Sequence, residues 1–122
     1  MNIPICPYCE QPSKLVKGNA IYPRRRDLYP LKFFMCSPCD AYVGTHKRTG
    51  KPLGTLANAS LRNYRKRVHA TFDPVWKQGT MKRGEAYVAF AKLMGISTDD
   101  CHIALFNEEQ CIEALVRLPD LT

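Results

Sequence analysis

No apolar run in this chain approaches the ~20 residues that a membrane-spanning helix needs, which excludes a helical membrane anchor as its organising feature. The opening Met1-Asn2-Ile3-Pro4 lacks the basic-then-apolar pattern of a secretory signal, so we expect a soluble, cytoplasmic protein with its cysteines reduced. Phosphate-cradling glycine loops are missing as well. Gly50-Lys51 is the nearest approach and is too little for a nucleotide-hydrolysing P-loop. Acidic side chains are scarce in one region only. Residues 1–72 hold thirteen Lys/Arg against Glu10, Asp27 and Asp40, a formal +10, whereas residues 73–122 hold five against eight acids, a formal −3. A basic face built on the first part, with a polyanionic partner, follows from that asymmetry.

What the chain does have is a stretch from Cys6 to Cys39 around which the rest is organised. It reads Cys6-Pro7-Tyr8-Cys9, twenty-six further residues, then Cys36-Ser37-Pro38-Cys39. Two Cys-x-x-Cys pairs at such a separation are the spacing of a four-thiolate zinc ribbon. Each spacer folds into a tight turn that aims two sulfurs at one point, and Pro7 and Pro38 favour those turns by fixing φ. One structural Zn²⁺ held by Cys6, Cys9, Cys36 and Cys39 is therefore the expected cofactor. His46 is a fifth donor that a complete Cys₄ site does not require. Cys101, His102 and Cys111 make a poor second site for want of a fourth ligand at short range.

The segment 13–22 reads as a hairpin turning at Gly18-Asn19, with Ala20 to Tyr22 beginning the return strand. A loop between Pro23 and Pro30 follows, then a strand over 31–35 that delivers Cys36 and another over 41–46 that leaves the metal. A helix is expected to start near Thr55 or Asn58, with Leu61, Tyr64 or Arg65, Val68 and Phe72 on its buried face. Asp73-Pro74 reads as a fresh start, Asp73 as N-cap and Pro74 in the first turn. Thr80 is the expected cap of a helix running to Met94 and closed by Gly95. Ser97 with Asp100, and Asn107 with Gln110, have the form of capping boxes. The last helix is expected to turn Cys111, Ile112, Leu115 and Val116 inward and to stop before Pro119. The fold class is thus α+β. An N-terminal four-cysteine zinc ribbon of three to four antiparallel strands (1–54) precedes a small helical part of three to five helices (55–122), packed on it as one compact unit.

Arginine grips phosphate with a planar fork, and tyrosine can stack on unpaired bases. Arg24, Arg25 and Arg26, flanked by Tyr22 and Tyr29, are therefore candidate nucleic-acid contacts, together with Lys47, Arg48 and Lys51 of a basic loop. Arg62, Arg65, Lys66 and Arg67 on the first helix complete the set. The expected partner is DNA or RNA, and the alternative is a host protein docked as an interaction module. A His-Asn-His nuclease would use His46, Asn58 or Asn63, and His69. It lacks the acid expected beside the first histidine, where Gly44-Thr45 stand, and the balance is against an enzyme.

The cysteine knuckles, Tyr22-Pro23-Arg24, Cys36 through Gly44, Pro52 through Ala57 and Phe72-Asp73-Pro74-Val75-Trp76 together resemble the zinc-finger-containing domain family of phage and prophage proteins. The resemblance spans nearly the whole chain. It implies zinc at Cys6, Cys9, Cys36 and Cys39 in a phage-type protein, and it implies no mechanism.

Overall fold

Alternating side chains in Lys32–Cys36 and Ala41–Gly44 put Phe34, Cys36, Ala41 and Val43 in the interior, and this pattern makes both segments strands. The computed structural model describes residues 3–79 and 81–121. They form two compact units, divided between Ala59 and Ser60.

The first unit holds an antiparallel meander of three strands in sequence order: β1 (Lys14–Lys17), β2 (Lys32–Cys36) and β3 (Ala41–Gly44). Leu15 faces Phe34 across the first pair, and Phe34 faces Val43 across the second. Tyr42 and Ala57 exchange both backbone hydrogen bonds at 3.1 Å, which binds the segment before the first helix to the β3 edge. The metal-side core is small: Phe34, Val43, Ala41 and Leu56 around Cys6 and Cys36. On the other side, Tyr22, Phe33 and Tyr42 meet edge to face with centroids 5.9 to 6.1 Å apart.

The expected return strand at Ala20–Tyr22 does not form. Gly18–Ala20 is a single 3₁₀ turn, with Ile21 and Tyr22 both donating to the Gly18 carbonyl, and β1 pairs with β2 instead. Gly18 permits this, because a Cβ there would stand 1.7 Å from the Leu28 carbonyl oxygen. The chain crosses over itself at that point, and Arg26–Leu28 makes a second 3₁₀ turn before β2.

The second unit has three helices: α1 (Ala59–Lys77), α2 (Arg83–Met94) and α3 (Glu108–Arg117). Leu61, Val68 and Phe72 are the buried stripe of α1. Asp73-Pro74 does not start a new helix, since α1 runs through Pro74 to Lys77. Pro74 removes one hydrogen bond near the C-terminal end, where few helical bonds remain to be lost. Side-chain packing opposes the break: Phe72 is fully buried, Asp73 turns back to His69 at 3.5 Å, and Trp76 carries Lys77 and Arg83 against its ring. The expected Thr80 cap lies outside the described residues. The α2 helix ends at Gly95 with φ +70°, as a left-handed C-cap should.

Phe72 stacks on Phe90 at 4.6 Å, and Phe90 meets Phe106 edge-on at 6.0 Å, so one aromatic line runs through this unit. Asn107 and Gln110 form the reciprocal capping box at 2.9 Å each way, and Ser97 accepts from the Asp100 amide. The inward stripe of α3 is Cys111 and Ala114, continued by Leu118 just past the helix, so Ile112 and Val116 lie in solvent, against expectation. Ala86 and Ala91 of α2 and Ala114 of α3 are buried, and the two helices are in contact. No described helix is long and apolar enough to cross a membrane.

Candidate metal centre

The two knuckles are closed by different backbone hydrogen bonds. In the first, Cys6 accepts from the Glu10 amide at 2.8 Å while its own amide donates to Gln11. In the second, the Asp40 amide donates to Ser37 at 3.1 Å. The residue after each second cysteine takes a left-handed conformation, Glu10 at φ 61° and Asp40 at φ 49°, the only non-glycine residues at positive φ among those described. That twist turns the chain away and leaves each pair of sulfurs pointing inward. The Tyr8 hydroxyl accepts from the Asn58 amide at 3.1 Å, tying the first knuckle to the segment ahead of α1.

The four Sγ atoms of Cys6, Cys9, Cys36 and Cys39 lie within 4.8 Å of one another, and Cys9 and Cys36 are 3.6 Å apart. A tetrahedron with metal–sulfur bonds of about 2.3 Å needs sulfurs about 3.8 Å apart, so the cluster has the size zinc demands. Cys6 and Cys36 are buried, and Cys9 and Cys39 are partly buried against the same core. The thiols resist ionising together. Burial disfavours the Cys6 thiolate, yet hydrogen bonds from the Tyr8 and Cys9 backbone hold its pKa below the ordinary thiol value. Hydrogen bonding to Cys9, with burial, pushes Cys39 up to about 12. Such a donor set is reconciled by a dication, which stabilises all four thiolates at once. Four thiolates also fill the tetrahedron, leaving no position open to activate water.

These features define a closed four-cysteine zinc site on a small antiparallel ribbon, a structural centre. Consistent with that class, a family model for a zinc-finger-containing domain matches residues 2–120, and the chain belongs to that family. No curated protein and no solved structure matches the chain. One structural zinc ion fits the site.

His46 sits beyond the far end of β3, where neighbouring Thr45 bonds the Lys32 carbonyl, and the ligand cluster does not include it. Cys101 and Cys111 are buried singly and His102 is exposed; they form no second cluster among the described residues. Arg24, Arg26, Lys47, Arg48 and Lys51 are exposed, as is Arg25, which pairs with Asp27 at 2.8 Å. On α1, Lys66 and Arg67 are exposed and Arg67 lies over the Tyr64 ring, whereas Arg62 is half-buried. The Arg65 fork donates to the Phe106 carbonyl at 3.0 and 2.8 Å, which joins α1 to the turn before α3. Tyr22 belongs to the aromatic cluster of the sheet, and Tyr29 donates to the Pro23 carbonyl. His69 and Asp73 make a half-exposed pair on α1. Sequence reasoning missed Glu10 and Asp40, although an acid after each knuckle was there to be noticed. It gave Gly18 the role of a hairpin turn and not that of the close approach to Leu28.

Proposed function

We propose that the protein binds nucleic acid through a basic face, with zinc serving only to hold that face in shape. The observation that carries this reading is the surface of the metal-held unit. All nine of its Lys/Arg side chains are exposed, against three acids, and one of those acids, Asp27, is neutralised by Arg25. Four thiolates and one Zn²⁺ subtract two charges and leave this unit basic. Phosphate is the polyanion most available to such a surface, and each phosphate neutralised releases counterions. On this reading the protein is phage- or prophage-encoded and works in the cytoplasm of a host bacterium.

Fluorescence anisotropy with DNA and RNA at two salt concentrations tests it. We expect affinity to fall steeply as salt rises. Binding weaker than micromolar to every nucleic acid, with no dependence on salt, rejects it.

A second reading, an interaction module that modulates a host enzyme, draws on the exposed Ile112 and Val116 one helical turn apart on α3. A stoichiometric protein partner recovered from nuclease-treated lysate, and lost in Val116→Asp, would favour it over the first.

A further inference from the structure

At the end of the sheet away from the cysteines lies a groove of about 750 Å³, within the first unit. Its apolar walls are Leu15, Leu31, Phe33 and Leu53; Lys32, Lys47 and Arg48 supply cations at its margin, and Asp27 supplies the one acid. Asp27 is already paired with Arg25, so the field over the groove is positive. Leu53 is 50 % exposed and lies over Gly44 beside the Phe33 ring, an apolar surface next to the cations of the margin.

We propose that this groove seats one unpaired nucleotide of a single strand, its base against Leu53 and Leu31 on the Phe33 face of the sheet and its phosphate between Lys47 and Arg48. The inference rests on the nucleic-acid reading above and narrows it. Its volume falls in the range of about 300–1,000 Å³ found for small-ligand pockets, which suits a nucleotide. A duplex keeps its base faces stacked inside and would leave the apolar walls bare, whereas an extruded or single-stranded base covers them. The cationic rim is also fixed in advance. The hairpin from Gly44 to Leu53 is closed by His46 N–H to Lys51 at 2.8 Å, Leu53 N–H to Gly44 at 2.9 Å and Gly50 N–H to His46 at 2.9 Å. Gly50 at φ +73° supplies the turn. Lys47 and Arg48 are thus presented from a closed loop, and less ordering is left for the ligand to impose.

The test uses the full zinc-loaded chain with a short fluorescein-labelled oligothymidylate, a labelled mixed-sequence duplex, and unlabelled thymidine monophosphate as competitor. We expect the single strand to bind at least about tenfold tighter than the duplex. Leu53→Asp should weaken the strand about tenfold while leaving duplex affinity within about twofold. Zinc content verifies that the variant is folded. Should Leu53→Asp lose zinc, Leu53→Ala carries the same comparison, with a loss of about threefold expected. Equal affinity for strand and duplex, or equal loss on both, overturns the groove and leaves nucleic-acid binding standing. Monophosphate displacing the strand at concentrations matching the strand's own affinity overturns the strand as occupant in favour of a free nucleotide. Absence of binding to any probe overturns both the groove and the function proposed above.

Discussion

Cysteine serves opposite ends in the two units. In residues 3–59, Cys6, Cys9, Cys36 and Cys39 are drawn within 4.8 Å of one another, around an apolar core whose large members are Phe34, Val43 and Leu56. In residues 60–121, Cys101 and Cys111 are fully buried, belong to no metal cluster among the described residues, and pack as small apolar side chains in an interior that includes Phe72, Phe90 and Phe106. A ribbon of three short strands buries too little to hold itself, so coordination replaces apolar area. The helical unit has its aromatic line and needs no such bond. Identical side chains become ligands or filler according to whether the backbone converges them.

The largest effect expected is therefore confined to one unit. Stripping zinc with a strong chelator, or Cys36→Ser, should unfold the ribbon, because structural zinc contributes on the order of 10 kcal/mol in small folds. Amide NMR signals of the sheet should collapse into the unfolded range while helical ellipticity largely persists. Loss of both together would break the comparison, as would a ribbon that survives demetallation. The converse change is Phe90→Ala. It removes the ring between Phe72 and Phe106 and should destabilise the helical unit by about 3–5 kcal/mol in denaturant melts, with zinc stoichiometry unchanged.

The pH dependence sharpens the same contrast. Burial pushes the Cys101 thiol up to about 11. The unfolded chain therefore gives up that proton first, from about pH 9, and binds fewer protons than the native state above it. Stability from this group is complete below about pH 9 and is lost as pH rises toward 11, roughly 3 kcal/mol in all. Cys111, also raised by burial, acts in the same direction. Denaturant midpoints measured across this range should fall less steeply in Cys101→Ala than in the parent chain. Identical slopes would show that Cys101 is not the closed-off thiol described above.

The parts of the molecule legible in the sequence were those fixed by short-range rules. Cys-x-x-Cys spacing foretold a cluster, and Asn107 three residues before Gln110 foretold a cap that forms as drawn. The failures lie where tertiary packing decides. Gly18-Asn19 has the chemistry of a two-residue hairpin, yet the close approach of Leu28 makes Gly18 a crossing point and sends β1 to a partner further along the chain. Pro74 carries a local breaking signal that buried Phe72 overrides. On α3, apolar spacing alone could not reveal that Ala114, smaller than Ile112, would face inward. The groove beside Leu53 left no signal at all, being assembled from three separated segments.

The smallest effect concerns the two knuckles, which share a left-handed residue after the second cysteine but differ in which residue bears that strain. A left-handed conformation costs an L-residue about 1–2 kcal/mol, and aspartate tolerates it better than glutamate through its short polar side chain. Glycine would remove the clash at either position, partly offset by the greater freedom it gives the unfolded chain. Glu10→Gly should thus stabilise the metal-bound ribbon by roughly 1 kcal/mol, and Asp40→Gly by about half as much. Since folding and metal binding are one event in this unit, the gain should appear as tighter zinc, about fivefold for Glu10→Gly in competition with a chromogenic chelator. Neither substitution should move the denaturant midpoint of the helical unit. If Glu10→Gly instead weakens zinc, the glutamate side chain contributes something that its backbone conformation does not, and the equivalence of the two knuckles fails.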